Sequence, residues 1–378
     1  MNKAEYIAPC HFGMEAVLKR EIIKLGYEVT QVIDGRVSFL GDSAAICRSN
    51  LFLRTAERIL LKIGEFEAHS WEDLFQGMKA IAWEDYLPLN AQFWVTKAAS
   101  VKSQLFAPST IQKISKKAMV DRMSQAYGVM HFAEDGDPYP MRVFVLKDVV
   151  TIALDTSGDS LHKRGYRRNA APAPISENLA SSIIQLTPWR ADRPFVDPFC
   201  GSGTFPIEAA MLACHIAPGS MRDFTAMLWD HLVSTKAWDD ARAEARDLED
   251  MRVETDIQGY DMDENAIKIA RENAKIAGVG DKIHFQRRSM EDLSHHRKYG
   301  FIITNPPYGE RMNLANLQEI YQHLGERYRK LDSWSMFLIS GYEDAQKDIG
   351  RPADKNRKLY NGMLKTYLYQ YFGPKPGR

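Results

Sequence analysis

Asn305 stands between the apolar run Phe301-Ile302-Ile303-Thr304 and two prolines, Pro306 and Pro307, with Tyr308 directly after them. A short apolar run of this kind reads as a buried strand, and proline cannot continue a central ladder. The strand therefore stops at Asn305, at a carboxyl edge where open α/β sheets place their ligands. There the Asn305 amide oxygen and the Pro306 carbonyl can each accept one N–H of an exocyclic amine on a flat heterocycle. Such a nitrogen is a poor nucleophile because its lone pair is delocalised into the ring. Two acceptors favour a pyramidal nitrogen with its lone pair freed, so alkylation is assisted by positioning and electrostatics rather than by a strong base. Tyr308 would stack on an extruded base. Taken alone, the same residues also fit a proline-capped strand with a buried tyrosine, so their context decides.

The elements that must position them are legible upstream. Phe195-Val196-Asp197 reads as a short strand entering the turn Pro198-Phe199-Cys200-Gly201-Ser202-Gly203-Thr204, and a helix follows through Ala213. Gly201 and Gly203 let the backbone approach a ligand, and the helix N-terminus favours a carboxylate. No Gly-Lys-Ser/Thr closes the turn, which excludes a Walker A loop, and Pro206 fills the third glycine position of a nicotinamide fingerprint. A second strand, residues 257–261, ends on Asp261, where nucleoside-cofactor folds hold ribose hydroxyls. A third, Ile283-His284-Phe285, leads to Ser289-Met290-Glu291-Asp292, and further strands are expected over 334–339, 358–362 and 364–372. Between the first two strands lies a long interruption, residues 217–251, with Trp229 and Trp238 and helical character over 237–248. Its pattern assigns it no role.

The N-terminal half reads as α+β. Tyr6-Ile7-Ala8 is a short strand, residues 12–25 have helical periodicity closed by Gly26, and Asp34-Gly35 marks a hairpin turn. In the helix over 109–127, Ile111, Ile114, Ala118, Met119 and Met123 share helical spacing, while Lys113, Lys116, Lys117 and Arg122 take other positions. That is either a solvated face or a phosphate-contacting one. Residues 160–174 carry Lys163, Arg164, Arg167 and Arg168 around Tyr166 and read as a basic linker, solvated or in contact with nucleic acid or cofactor. The expected units are therefore 1–42, 43–155, a linker over 156–175 and a catalytic domain over 176–378.

Composition narrows the class. With 378 residues, 45% hydrophobic and 26% charged, the chain reads as a multidomain globular protein. Its formal net charge is zero, so any nucleic-acid surface must come from local clustering. Cys10, Cys47, Cys200 and Cys214 form no CxxC pair, which argues for a reducing compartment and against structural zinc. No apolar stretch has signal-peptide or transmembrane character, so a cytoplasmic protein with no membrane partner is expected.

The series strand–glycine turn, strand–Asp261, strand–Asp292, strand–Asn305-Pro306-Pro307-Tyr308 resembles the amino-methylating branch of the class I S-adenosylmethionine-dependent methyltransferases. Ile7-Ala8-Pro9-Cys10 with Gly13-Met14-Glu15, residues 116–121, residues 161–167 and Asn361-Gly362 resemble the bacterial THUMP-containing enzymes that make N2-methylguanosine in large-subunit ribosomal RNA. The resemblance implies a Rossmann-like, mostly parallel seven-stranded domain preceded by ferredoxin-like and THUMP modules. It implies that Asp197, with the turn at Phe199, Gly201, Gly203 and Thr204, holds the methionine part of the cofactor. Asp261 would hold the ribose with Met262 beside it, and Asp292 or the Ser289-Met290 backbone would face the adenine. Asn305, Pro306 and Tyr308 would take the target amine and base, with Asn305 also bordering the cofactor. Lys113, Lys116, Lys117, Arg164, Arg167 and Arg311 are the candidate RNA contacts. Two departures stand out: Ser289 occupies a position where relatives often carry Asp, and Phe199 replaces a commoner Met. An adenine-N6 methyltransferase and a non-catalytic RNA-binding assembly factor remain alternatives.

Overall fold

A computed structural model describes residues 3–167, 175–308, 314–362 and 364–376. The N-terminal half runs β1 (Ala4–Pro9), α1 (Glu15–Lys24), β2 (Glu28–Ile33), β3 (Arg36–Gly41), α2 (Ala44–Phe52), β4 (Leu60–Glu67), α3 (Trp71–Ala80), β5 (Gln92–Val101), α4 (Pro108–Tyr127), β6 (Pro138–Leu146) and β7 (Val149–Asp155). These strands form one seven-stranded sheet in the order β2-β3-β1-β4-β7-β6-β5. The expected boundary at residue 42 is therefore not a break in the sheet, because β4 pairs with both β1 and β7. Local sequence sets several helix ends. Ser70 caps α3 reciprocally with Asp73, and Pro108, which lacks an N–H to leave unpaired, opens α4.

The C-terminal half runs α5 (Glu177–Leu186), β8 (Phe195–Asp197), α6 (Thr204–Ala213), α7 (Thr235–Leu248), β9 (Ile257–Asp261), α8 (Glu264–Ile276), β10 (Ile283–Arg287), β11 (Phe301–Thr304), α9 (Leu314–Lys330), β12 (Ser335–Ser340), α10 (Ala345–Ile349), β13 (Lys355–Asn361) and β14 (Leu364–Tyr371). Its sheet has the order β10-β9-β8-β11-β12-β14-β13, parallel from β10 through β12 and antiparallel at β14 and β13. From β8 the chain steps outward to β9 and β10, then returns to the other flank of β8 at β11. That reversal leaves a crevice above the carboxyl ends of β8 and β11. Strand β11 is buried throughout, as an apolar central strand must be.

The two halves are not joined by a loose tether. The interruption at 217–251 belongs to the N-terminal core: Phe224, Trp229, Leu232, Val233, Trp238 and Ala241 pack with residues of the first sheet. Trp229 stacks on Tyr139 at 4.9 Å and donates its Nε1–H to the Pro138 carbonyl. Arg48 of α2 meets Glu244 of α7 through two bonds of 2.7 Å. In the opposite direction, Met14 and Val17 from the N-terminal end pack into the catalytic core beside Leu359 of β13. Among the described residues, the linker that read as either solvated or in contact with nucleic acid or cofactor is packed into the protein, with Thr156, Ser157, Leu161, Arg164 and Tyr166 buried. No helix among the described residues is long and apolar enough to cross a membrane.

Candidate active site

The glycine turn after β8 is held open by left-handed backbone at Gly201 (φ 52°) and Gly203 (φ 85°), a region that L side chains rarely adopt. The reasons for the two glycines differ. A Cβ on Gly203 would come within 2.9 Å of Phe285 and 3.0 Å of Ala270, so this position brings helix and strand together. A Cβ on Gly201 would meet nothing within 4 Å, so its empty side faces space in which a ligand fits. The Gly201 amide donates to Asp261 Oδ2 at 3.0 Å, and the Asp263 amide donates to Oδ1 at 2.9 Å. Asp261 is thereby fixed at the tip of β9, half-exposed, with lone pairs left for incoming hydroxyls.

Asp197 takes a different position. It is 2% exposed, and its Oδ1 accepts from the Thr304 hydroxyl at 2.6 Å and from the Phe199 amide at 3.1 Å. The side chain braces β8 against β11 beneath the crevice. Burial pushes its carboxyl up to about 7, the two hydrogen bonds oppose that shift, and Asp261 adds to it.

Asn305 follows β11 at the same edge, and its Oδ1 is buried without a hydrogen-bond partner among the described residues. Leaving such an acceptor unpaired costs about 1–3 kcal/mol, which is the mark of a group waiting for a donor. Pro306 is buried and Tyr308 half-buried, and the Asn361 side-chain amide donates to the Tyr308 hydroxyl at 2.9 Å. Pro307 is fixed from below, because its carbonyl accepts from Tyr321 at 3.3 Å.

The remaining candidates divide. Thr204 and Met290 are buried, Phe199 is half-buried, and Met262 (69% exposed) and Asp292 are open to solvent. All of them follow the carboxyl ends of β8, β9 or β10. Lys113 and Lys117 are exposed on α4. Lys116 is not a free cation: its ammonium bonds Glu134 at 2.6 Å and the Phe93 carbonyl at 2.5 Å, 3.5 Å from the Phe93 ring centroid. Arg164 is corrected more firmly. At 1% exposure it cannot meet RNA, since it donates to the Leu161 and Arg54 carbonyls and pairs with buried Glu208. Arg167 is likewise engaged, donating to Thr204 Oγ1 at 2.6 Å and pairing with Glu177 at 3.4 Å. Arg311 lies outside the described residues.

Sequence reasoning missed three groups. Glu177 is 2% exposed, with its carboxyl pushed up to about 7 by burial against the opposing effect of Arg167. Glu208 collects Arg164, Tyr166 and Ser181. Asn361 holds Tyr308. Glu208 carried a signal as a lone carboxylate in the mostly apolar helix 204–213, and Asn361 stood out with Gly362 only as part of the family resemblance, with no role attached. Among the described residues, no group of three or more His, Cys, Asp or Glu could hold a metal ion.

Comparison with known proteins gives this arrangement its family. Residues 164–370 match the RMKL-like methyltransferase domain, 5–60 the RlmL ferredoxin-like domain, and 68–155 the THUMP domain. The chain belongs to this methyltransferase family. YpsC of Bacillus subtilis (strain 168), provisionally named an RNA methyltransferase, is 42% identical, with 98% of this chain and 97% of that protein covered. The ribosomal RNA large subunit methyltransferase K/L of Syntrophotalea carbinolica is 34% identical over 97% of this chain. This methyltransferase spans only 53% of that relative's length. Among solved structures, SMU.472, provisionally a methyltransferase and complexed with SAH, is 42% identical with a TM-score of 0.93, each chain fully covered. A Listeria monocytogenes protein described as a predicted N6-adenine-specific DNA methylase is 43% identical with a TM-score of 0.93, over 99% of this chain and 97% of that one.

Proposed function

We propose that this methyltransferase modifies RNA at an exocyclic purine amine, guanine N2 in large-subunit ribosomal RNA, with S-adenosylmethionine as donor. The observation that carries the amine is the unpaired, buried Asn305 Oδ1 at the switch-point edge. RNA as the substrate class is supported by the THUMP match and by the K/L and YpsC relatives. The donor is supported by the glycine turn, by Asp261 and by a relative complexed with SAH.

S-adenosylmethionine, when bound, supplies an electrophilic sulfonium methyl group. The open side of Gly201 leaves room for the donor's chain, and Asp261, already oriented by two backbone amides, has acceptor capacity for ribose hydroxyls. Asn305 Oδ1 accepts one N–H of the amine and the Pro306 carbonyl the other, which turns the nitrogen lone pair out of the ring plane. Tyr308, held by Asn361, faces the base and limits its tilt. The base must leave its stack to reach this edge, and unstacking is least costly in single-stranded RNA. The released proton goes to water.

Nucleoside mass analysis of ribosomal RNA from a deletion strain tests the reading. Loss of N2-methylguanosine supports it. Loss of N6-methyladenosine with N2-methylguanosine intact replaces guanine by adenine, the reading that the Listeria relative favours. Absence of S-adenosylmethionine binding by calorimetry would leave an RNA-binding assembly factor.

A further inference from the structure

Strand β14 pairs with β12 so that Ser340, the last residue of β12, lies opposite Tyr367. β14 begins at Leu364, and β13 runs beside it with Tyr360 opposite Lys365 and Asn361 opposite Leu364. The tip of this hairpin therefore overhangs the carboxyl edge of the sheet, beyond β12. Tyr308 is seated against it. The Asn361 side chain holds the Tyr308 hydroxyl, and the Tyr308 ring would lie 3.1 Å from a Cβ on Gly341, just past the end of β12. The hairpin is a wall of the pocket assigned to the target base.

Its composition sets this wall apart. The two strands carry Lys355, Arg357, Lys358 and Lys365 and no carboxylate, in a chain whose formal net charge is zero. Alternation sends Leu359, Thr366 and Leu368 into the protein and leaves Lys358, Tyr360, Lys365 and Tyr367 together on the other face. On that face Lys358 lies 5.3 Å from the Tyr360 ring centroid and Lys365 lies 5.3 Å from that of Tyr367. Tyr360 is 40% exposed, so one face of its ring stays open to solvent beside Lys358. The Tyr367 hydroxyl beside Lys365 favours its charged form, and Glu343, from outside the hairpin, acts in the same direction.

Exposed aromatic rings interleaved with lysines suit single-stranded nucleic acid, because every base has a face to stack and every nucleotide a phosphate to neutralise. We infer that the β13–β14 tip binds the single-stranded RNA flanking the target nucleotide, with Tyr360 stacking on a neighbouring base, Lys358 and Lys365 meeting phosphates, and Asn361 positioning Tyr308. This surface rests on the reading of the chain as an RNA methyltransferase. It adds a contact at the catalytic edge to whatever the N-terminal half binds.

The test uses the full-length protein, unmodified large-subunit ribosomal RNA transcribed in vitro, and S-adenosylmethionine with a labelled methyl group. Tyr360→Ala is expected to raise KM for the RNA about tenfold, the effect of one lost base stack, while Tyr360→Phe stays near wild type. The double variant Lys358→Ala, Lys365→Ala is expected to flatten the salt dependence of RNA binding by a slope of about 1.4 to 1.8. Asn361→Ala is expected to lower kcat more than it raises KM, and Asn361→Asp, which can still bond the Tyr308 hydroxyl, to restore most of the loss. Cofactor affinity by calorimetry should stay within twofold of wild type in all of them. If the wild type methylates the RNA and the Tyr360 and lysine variants keep its KM and salt slope, the hairpin surface is overturned and the proposed function stands. Equal losses in Asn361→Ala and Asn361→Asp overturn the positioning role. If the wild type transfers no methyl group to RNA, the proposed function falls and the hairpin proposal falls with it.

Discussion

The catalytic edge and the clasp between the two halves both bury polar side chains, but they complete them differently. In the clasp, the wholly buried Glu208 carboxylate meets Arg164, Tyr166 and Ser181, and Arg164 also caps two carbonyls. At the edge, both donors to Asp197 reach the same oxygen, and Asn305 Oδ1 has none. Of the buried side-chain amide and carboxylate oxygens without a partner among the described residues, the two are Glu177 Oε2 and Asn305 Oδ1, both in the catalytic half. Some buried donors of the clasp, Arg54 Nη1 and Trp238 Nε1 among them, also lack a partner, so what sets the edge apart is an unpaired acceptor, which can receive a ligand's N–H.

The sharpest way to break this contrast is Asn305→Ala. If the unpaired oxygen is there for the amine, its removal should lower kcat by about 10²- to 10³-fold or more, as losing one preorganised hydrogen-bond partner does elsewhere. Cofactor affinity by calorimetry and the melting temperature should hold. Retained methylation would make the oxygen incidental.

The clasp predicts the opposite signature. Arg164→Ala leaves Glu208 buried without its cation, a loss of about 3–5 kcal/mol, read as a lower urea midpoint. The double variant Arg164→Met, Glu208→Leu should recover much of it, because a buried pair replaced by apolar groups of similar volume is often neutral. A single variant as stable as the double would show that the clasp is no more finished than the edge.

How far each region was legible follows from the same difference. Asn305, the glycine turn and Asp261 sit at strand ends, where apolar runs stop at polar residues, and local order in the sequence shows that directly. The strand β13, expected over 358–362, begins at Lys355, because its hydrophilic first half has an edge-strand pattern that alternation alone does not reveal. The clasp is non-local: Trp229 finds Tyr139 some ninety residues away, and Arg48 finds Glu244 across nearly two hundred. Nothing within 217–251 announces that its aromatic residues complete a core begun at residue 6. Arg164 failed for a related reason. Clustered with other cations in the chain, it reads as surface, yet its partner Glu208 lies in an apolar helix 44 residues on.

A pH series refines the edge. The Asp197 carboxyl, near 3.8 when unfolded, is pushed up to about 7 by burial, so between those values the folded chain binds more protons than the unfolded one. Its contribution to stability is therefore largest at low pH and declines as pH rises through 7, by at most about 4 kcal/mol. Glu177 titrates in the same window with the same sign. Asp197→Asn should flatten the decline between about pH 4 and 7 only in part, and adding Glu177→Gln should flatten it further. An unchanged profile in the double variant would mean that neither carboxyl is held uncharged.

The smallest expected effects lie on α4, where the comparison can be made residue by residue. Lys113 and Lys117 are exposed, whereas Lys116 is committed to Glu134, the Phe93 carbonyl and the Phe93 ring. An ammonium that already has a carboxylate partner releases fewer counterions when a phosphate approaches. Lys113→Ala and Lys117→Ala should each flatten the salt dependence of RNA binding by a slope of about 0.7 to 0.9. Lys116→Ala should leave the slope nearly unchanged and lower stability slightly, because it removes an ion pair and a cation–π contact worth about 1–2 kcal/mol together. If all three substitutions flatten the slope alike, RNA displaces Glu134, and the pairing that separates Lys116 from its neighbours does not survive binding. If none does, α4 is a solvated face, and the RNA contacts of the N-terminal half lie elsewhere on its sheet.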